Sequence, residues 1–468
     1  MSSELLIRGG TLVTAADSKQ ADVLVRDGKI VETGAGLQTA GQVLDASGQL
    51  VMPGGIDTHV HLGHPVDRLR ITTADDFYTG TVAAACGGVT TIIDFALQRR
   101  GESLTQARDN RIQQDADDHA VIDYGLHIIV TDVRDDVLDE IPALIGEGFP
   151  SFKLLMTYSD KKVDDTALLR VMERTAQHGG LAYIHCENDA AVTYLIERCL
   201  SRGETGPVFH ARSRPPQVEA EAANRAIMLA ELMGAPLCIA HVTCAGAAAH
   251  VATARMRGQP VVSETCPQYL TLTDDVYDPA SHGFESAKYV CSPPIRAPEH
   301  REALWEALTH GEIQQVASDH SPFRYGDQKM QGRDDFTRIP NGVPGIETRL
   351  PLVFTGGVHN GRFSANRFVE LVSTNPAKIF GMYPRKGSLE IGADADMIVL
   401  DPAREVEIDH AKLHSAMDYS PYQGIRVRGF PTWTISRGEV IAERGRPKAE
   451  RGRGQLVKRS PVEPQLLP

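Results

Sequence analysis

The sequence lacks several features that would have set its class. No uncharged apolar run approaches the ~20 residues a membrane-crossing helix needs. The opening MSSELLIRGG has no basic stretch followed by a long apolar one, so no secretory leader is expected. There is no C-x-x-C, and the seven cysteines (Cys86, Cys186, Cys199, Cys238, Cys244, Cys266 and Cys291) are odd in number and widely spaced. That argues against a disulfide framework and a Cys-rich zinc site, and it fits a reducing cytoplasm. Positive charge is in deficit: 48 Lys+Arg face 61 Asp+Glu, for a formal charge of −13. Such a surface repels phosphate backbones, so no nucleic-acid partner and no membrane partner is expected. What remains is a 468-residue chain, 42% hydrophobic and 23% charged, with a mean hydropathy of −0.22. That is a globular composition in a chain too long for one ordinary domain.

The first fifty-two residues read as short strands and tight turns, with Gly9-Gly10 and Asp27-Gly28 supplying the turn chemistry. The same texture returns over 385–445, in DADMIVLD and in TWTISRGEVIAERG. Neither segment is large enough for its own core, so the two are expected to fold together as a small β-sandwich. Between them, over 53–384, eight short apolar runs alternate with amphipathic stretches. The runs are VMPGGIDTHVHL, VTTIIDFA, VIDYGLHIIV, SFKLLM, LAYIHC, PLCIAHV, PVVSETC and QVASDH. Eight strands alternating with helices predict an α/β fold, a closed parallel (β/α)₈ barrel of the TIM type. The basic tail over 446–468 reads as an extended arm.

His59 and His61 form H-x-H at the end of the first barrel strand. Alternate strand residues point the same way, so both imidazoles face the barrel mouth. His185 ends LAYIHC, His241 ends PLCIAHV and Asp319 ends QVASDH. Imidazole and carboxylate suit zinc and its neighbours, and the C-terminal ends of barrel strands form the functional face. Lys153 stands among apolar neighbours in SFKLLM, where an unpaired ammonium is costly to bury. Either it snorkels to the mouth or pairs with Asp319, or its amine has reacted with carbon dioxide to give an anionic carbamate ligand. Spacing alone does not choose between these.

The motifs PGGIDTHVH, SFKLLMTY, HCEN, AHVTC, CSPPIR, ASDHSPF and PNGVPGIE, in this order, resemble the hydantoinase/dihydropyrimidinase branch of the amidohydrolase superfamily. The resemblance covers nearly the whole chain and implies two divalent metals, usually zinc, with Mn²⁺ or Co²⁺ as alternatives. It implies that His59, His61 and Asp319 bind the buried metal and that His185 and His241 bind the more exposed one. Carboxylated Lys153 and a hydroxide would be shared between them. The implied reaction is hydrolytic opening of a cyclic amide to an N-carbamoyl amino acid. Asp319 would then act as base and acid, and Tyr158 as oxyanion donor. Ser292 and Asn341 would hold the imide or ureide edge of the substrate. The resemblance also implies a homo-oligomer, a tetramer or dimer.

Three alternatives share the scaffold. An allantoinase or cyclic imide hydrolase would use the same centre. Dihydroorotases carry H-x-H-L-R, whose Arg binds the substrate carboxylate, but Gly63 stands at that position. Collapsin response mediator proteins keep the fold as non-enzymatic scaffolds after losing metal ligands, whereas all six ligand positions are intact here. The loop after H-x-H departs from the family's pattern of an acidic or apolar residue and a Pro-Phe-Gly-rich stretch: it reads Leu62-Gly63-His64-Pro65-Val66-Asp67-Arg68-Leu69-Arg70. Two readings of Arg68 and Arg70 follow: they face the exocyclic substituent, or they point to solvent or pair with Asp67, Asp75 or Asp76.

Overall fold

Eight parallel strands carry the site, seven each lying within one of the eight apolar runs and Val89–Leu97 reaching one residue past its run. They are Gly55–Asp57, Val89–Leu97, Asp123–Ile129, Ser151–Leu155, Leu181–His185, Leu237–Ile239, Val261–Thr265 and Gln315–Val316, hydrogen-bonded in chain order. The computed structural model describes residues 4–468. Bridging between Val60 and His320 brings the last strand back to the first, with His61 N–H donating to the His320 carbonyl at 2.8 Å. The strands read as continuous apolar runs because both faces are covered: Asp123–Ile129 and Ser151–Leu155 are buried at every position.

Helices surround the barrel, and their ends follow local chemistry. Asp76 caps Phe77–Cys86 through a capping box with Thr79. Asp164 caps Asp165–His178, which ends on Gly179 in the left-handed conformation (φ 75°). The main apolar core lies between helices and strands. A second cluster fills the barrel interior, with Ile93, Phe95, Ile129, Tyr183 and Val262 pointing inward.

The two terminal segments join in one nine-stranded sheet. Leu50–Pro53 pairs with both Glu4–Val13 and Met397–Leu400, so the N- and C-terminal parts meet strand to strand. This sheet encloses its own core of Leu5, Ile7, Val23, Val25, Met397, Val399 and Ile435. A buried ion-pair knot fastens it to the barrel. Lys386 Nζ lies 2.6 Å from Asp123 at the start of the third barrel strand, 2.6 Å from Asp396 and 3.1 Å from Asp394. The basic tail lies along its own barrel. Val457 N–H donates to the Tyr124 carbonyl at 2.7 Å and Val462 N–H to the Gly179 carbonyl at 2.7 Å. Val457 and Val462 thereby join the interior cluster from the end opposite the site.

Candidate metal centre and active site

All the ligand-type residues reach one cavity at the C-terminal end of the barrel. The cavity encloses about 860 Å³, open mouth included, and its lining includes His59, His61, Lys153, His185, His241 and Asp319. His59 and His61 follow the first strand, Asp319 follows the eighth, and both His Nε2 atoms lie 3.3 Å from Asp319 Oδ1. One ligand atom from each of these three residues lies within 4.8 Å of the others, a spacing that suits a single ion. The His185 and His241 rings face each other edge to face at 4.5 Å between centroids, and His241 lies 5.4 Å from His59.

Backbone conformation helps to aim these groups. Tyr158 (φ 74°), His241 (φ 32°) and Asp319 (φ 49°) all adopt the left-handed region that side chains other than glycine seldom take. Such strain persists where surrounding structure holds it, and it gathers at functional sites.

Lys153 neither snorkels nor pairs with Asp319. Its side chain points into the barrel, and strand register sets it beside Tyr183. Its Nζ lies 4.0 Å from the Tyr183 ring centroid and 5.5 Å from that of Phe95. That atom is buried without a hydrogen-bond partner, as are His61 Nδ1 and His241 Nδ1. Burial lowers the Lys153 pKa and favours the uncharged amine, the form that reacts with carbon dioxide. Burial also keeps His59 and His241 neutral, as metal binding requires. Buried orphan atoms and a set of imidazole, carboxylate and lysine amine fit divalent cations.

Two carboxylates behind the histidines were not among the residues singled out in the sequence. Glu264 Oε1 lies 2.5 Å from His59 Nδ1 and also accepts from the Tyr183 hydroxyl. Glu187 Oε2 lies 2.7 Å from His185 Nε2, which leaves Nδ1 of that ring for the centre. Glu264 stands in an apolar strand, PVVSETC, and so carried the signal that drew attention to Lys153. Glu187, two residues after His185, had only its proximity in the chain.

Tyr158, Ser292 and Asn341 come together on the cavity wall. Asn341 Nδ2 donates to Ser292 Oγ at 3.2 Å. Burial raises the Tyr158 pKa, helped by the nearby Glu187 carboxylate, so the phenol keeps its proton. Buried Lys329 ties the loops that carry Ser292 and Asn341. Its Nζ donates to the carbonyls of Val290 (2.7 Å), Pro340 (2.9 Å) and Gly342 (2.7 Å). Gly342 is required here, since a Cβ on it would stand 2.4 Å from the Ser321 carbonyl oxygen. Of the two arginines in the 64–70 loop, Arg68 lines the cavity and Arg70 is exposed outside it.

The Amidohydrolase family model matches residues 50–441. The chain belongs to the amidohydrolase family. Within it, the chain falls in the hydantoinase/dihydropyrimidinase branch. It is 45% identical to the D-hydantoinase of Geobacillus stearothermophilus, over 97% of this chain and 96% of that one. It is also 45% identical to the D-hydantoinase of Streptomyces coelicolor, over 98% and 99% of the two chains. The crystal structure of dihydropyrimidinase from Brevibacillus agri superposes with a TM-score of 0.96 at 43% identity, covering 99% of this chain and all of that one. A binuclear divalent metal centre is typical of the family. No helix among the described residues is long and apolar enough to cross a membrane.

Proposed function

We propose that this chain hydrolyses a ring C–N bond of a hydantoin or dihydropyrimidine, giving an N-carbamoyl amino acid. It is a cyclic amidohydrolase. The observation that carries the reading is the convergence of six ligand-type side chains from five strand ends on one cavity. In our assignment His59, His61 and Asp319 hold one divalent ion and His185 and His241 the other, with carboxylated Lys153 shared between them. Zinc suits this mixture of nitrogen and oxygen donors. When bound, the ions polarise the ring carbonyl and lower the pKa of a water.

The chain's own groups account for the rest. The Asp319 carboxylate accepts the proton of the attacking water. It then delivers that proton to the ring nitrogen as the C–N bond breaks. The Tyr158 hydroxyl donates to the carbonyl oxygen as negative charge develops there. Ser292 and Asn341 hold the amide edge of the ring, and Lys329 keeps their loops in register. Glu264 and Glu187 fix the tautomers of His59 and His185. Relatives named D-hydantoinase support the D enantiomer as the one processed.

Two further points belong to this reading. The cysteines are free and buried, which suits a reducing cytoplasm. Met228, Leu232 and Met256 expose apolar surface on the outer helices, which supports a homo-oligomer, a dimer or tetramer. The test is turnover of hydantoin, dihydrouracil, allantoin, dihydroorotate and a cyclic imide by the metal-loaded protein. Preference for hydantoin or dihydrouracil supports the assignment, and preference for any other ring overturns it.

A further inference from the structure

The cavity has a second end, at its mouth, whose chemistry the ring-opening reaction does not use. Arg68 and Lys161 line it, beside Tyr158 and Asp160. Arg68 comes from the loop after the first barrel strand and Lys161 from the turn after the fourth. Arg68 Nη1 donates to the Thr337 carbonyl at 2.7 Å, a neutral partner that anchors the guanidinium without cancelling its charge. Lys161 Nζ lies 3.3 Å from His64 Nε2, another partner without negative charge. Neither cation has a carboxylate oxygen within 4.0 Å among the described residues, whereas neighbouring Lys162 is taken up by Asp189.

The surrounding charges do not cancel this. Asp160 lies near both cations and Asp67 near Lys161, while Arg214 and Arg338 lie near Arg68 and oppose it. Arg214 itself lies 3.8 Å from Glu187, so Arg68, Lys161, Arg214 and Arg338 face Asp67, Asp160 and Glu187 here, a small excess of positive charge. Partial burial of the guanidinium lowers the Arg68 pKa while Asp160 works against that shift, and the residue as a whole stays open to solvent. A guanidinium with Nε and Nη2 uncommitted can present two parallel N–H groups to a carboxylate.

We propose that Arg68 and Lys161 form a subsite for a carboxylate on the exocyclic substituent of the ring. The preferred substrates are then ring ureides with an acidic side chain rather than an aryl or alkyl one. The inference rests on the ring-opening reading above and names its substrate class.

The experiment compares kcat/KM for 5-(2-carboxyethyl)hydantoin with that for its neutral isostere, 5-(2-carbamoylethyl)hydantoin. It uses metal-loaded wild type, Arg68→Leu and Lys161→Met. Equilibrium binding of the ring-opened products, N-carbamoylglutamate and N-carbamoylglutamine, is measured on the same proteins. The acid is favoured about tenfold or more in the wild type, in turnover and in product binding, as one charge-assisted contact implies. That ratio falls toward one in Arg68→Leu and falls in part in Lys161→Met. Raised salt weakens the preference, because Arg68 is open to solvent. An acid-to-amide ratio near one in the wild type, or one unchanged in both variants, overturns the subsite. Failure of the wild type to open unsubstituted hydantoin or either analogue would count against the ring-opening reading instead. The product-binding ratio would then still decide the subsite.

Discussion

His59 Nδ1 lies 2.5 Å from Glu264 Oε1, beneath the floor of the cavity. The contact commits Nδ1 to the carboxylate and turns Nε2 toward Asp319, so one buried glutamate selects the nitrogen that His59 offers to a metal. Burial raises the Glu264 pKa to about 8 despite the opposing charge of Lys153. Cations bound beside it would add positive charge that offsets the burial of the carboxylate. Glu264→Ala is expected to weaken metal retention by roughly 10–100-fold. Metal content after dialysis against a graded chelator series checks this, and wild-type retention would remove Glu264 from the account.

Lys153 supplies the second prediction. Lys153→Ala removes the proposed shared ligand and should lose metal and most activity, and short carboxylic acids should partly restore both by filling the vacated space. Lys153→Arg should not restore them, because a guanidinium stays cationic and cannot be carboxylated. Two metals per chain and normal turnover in Lys153→Ala would rule out a shared lysine ligand.

Tyr158→Phe separates the wall from the centre. It removes one oxyanion donor and no metal ligand, so kcat should fall by ~10²–10³-fold with metal content unchanged. Asp319→Asn, by contrast, should lower both the rate, by at least ~10²-fold, and metal retention. Normal turnover in Tyr158→Phe would make Tyr158 a packing residue.

Lys329 gives a prediction with a definite pH sign. Burial pulls its amine down to about 7 in the folded chain, against ~10.4 unfolded. The unfolded state therefore holds more protons between these values, and the lysine's contribution to stability rises with pH across that window. Below about 7 the full burial cost remains. The stability difference between wild type and Lys329→Met should shift in favour of wild type from pH 7 to 9, by at most about 1.4 kcal/mol per unit. Thermal midpoints of both proteins over that range test it. The variant also leaves three carbonyls without their partner, so its KM for hydantoin should rise.

Much of this was legible in the sequence because strands buried on both faces leave continuous apolar runs, and polar residues inside those runs stand out. His185, Asp319 and Lys153 are visible for that reason. Barrel strand Leu181–His185 carries two site residues, but Tyr183 reads as an ordinary aromatic until register sets it beside Lys153. Glu187 and Lys161 escaped because each acts from a loop or turn, and Lys329 because it opens a 3₁₀ helix of four residues; segments this short carry no periodicity. The left-handed backbone of Tyr158, His241 and Asp319 escaped for another reason: tertiary packing imposes it against the preference of each residue. The tail over 446–468 reads as an extended arm, and nothing in its basic residues shows where it docks. Yet Arg459 is buried and donates to the Leu126 carbonyl at 2.5 Å, a contact between residues far apart in the chain.

The central claim is that the six ligand-type residues bind divalent metal and that this metal is needed for ring opening. The most direct measurement strips the purified chain with chelator and titrates zinc back, following hydantoin hydrolysis and bound metal on the same samples. Activity should be absent without metal and should rise to a plateau at about two ions per chain, as a shared centre requires. Full hydantoinase activity in the stripped protein would contradict the account.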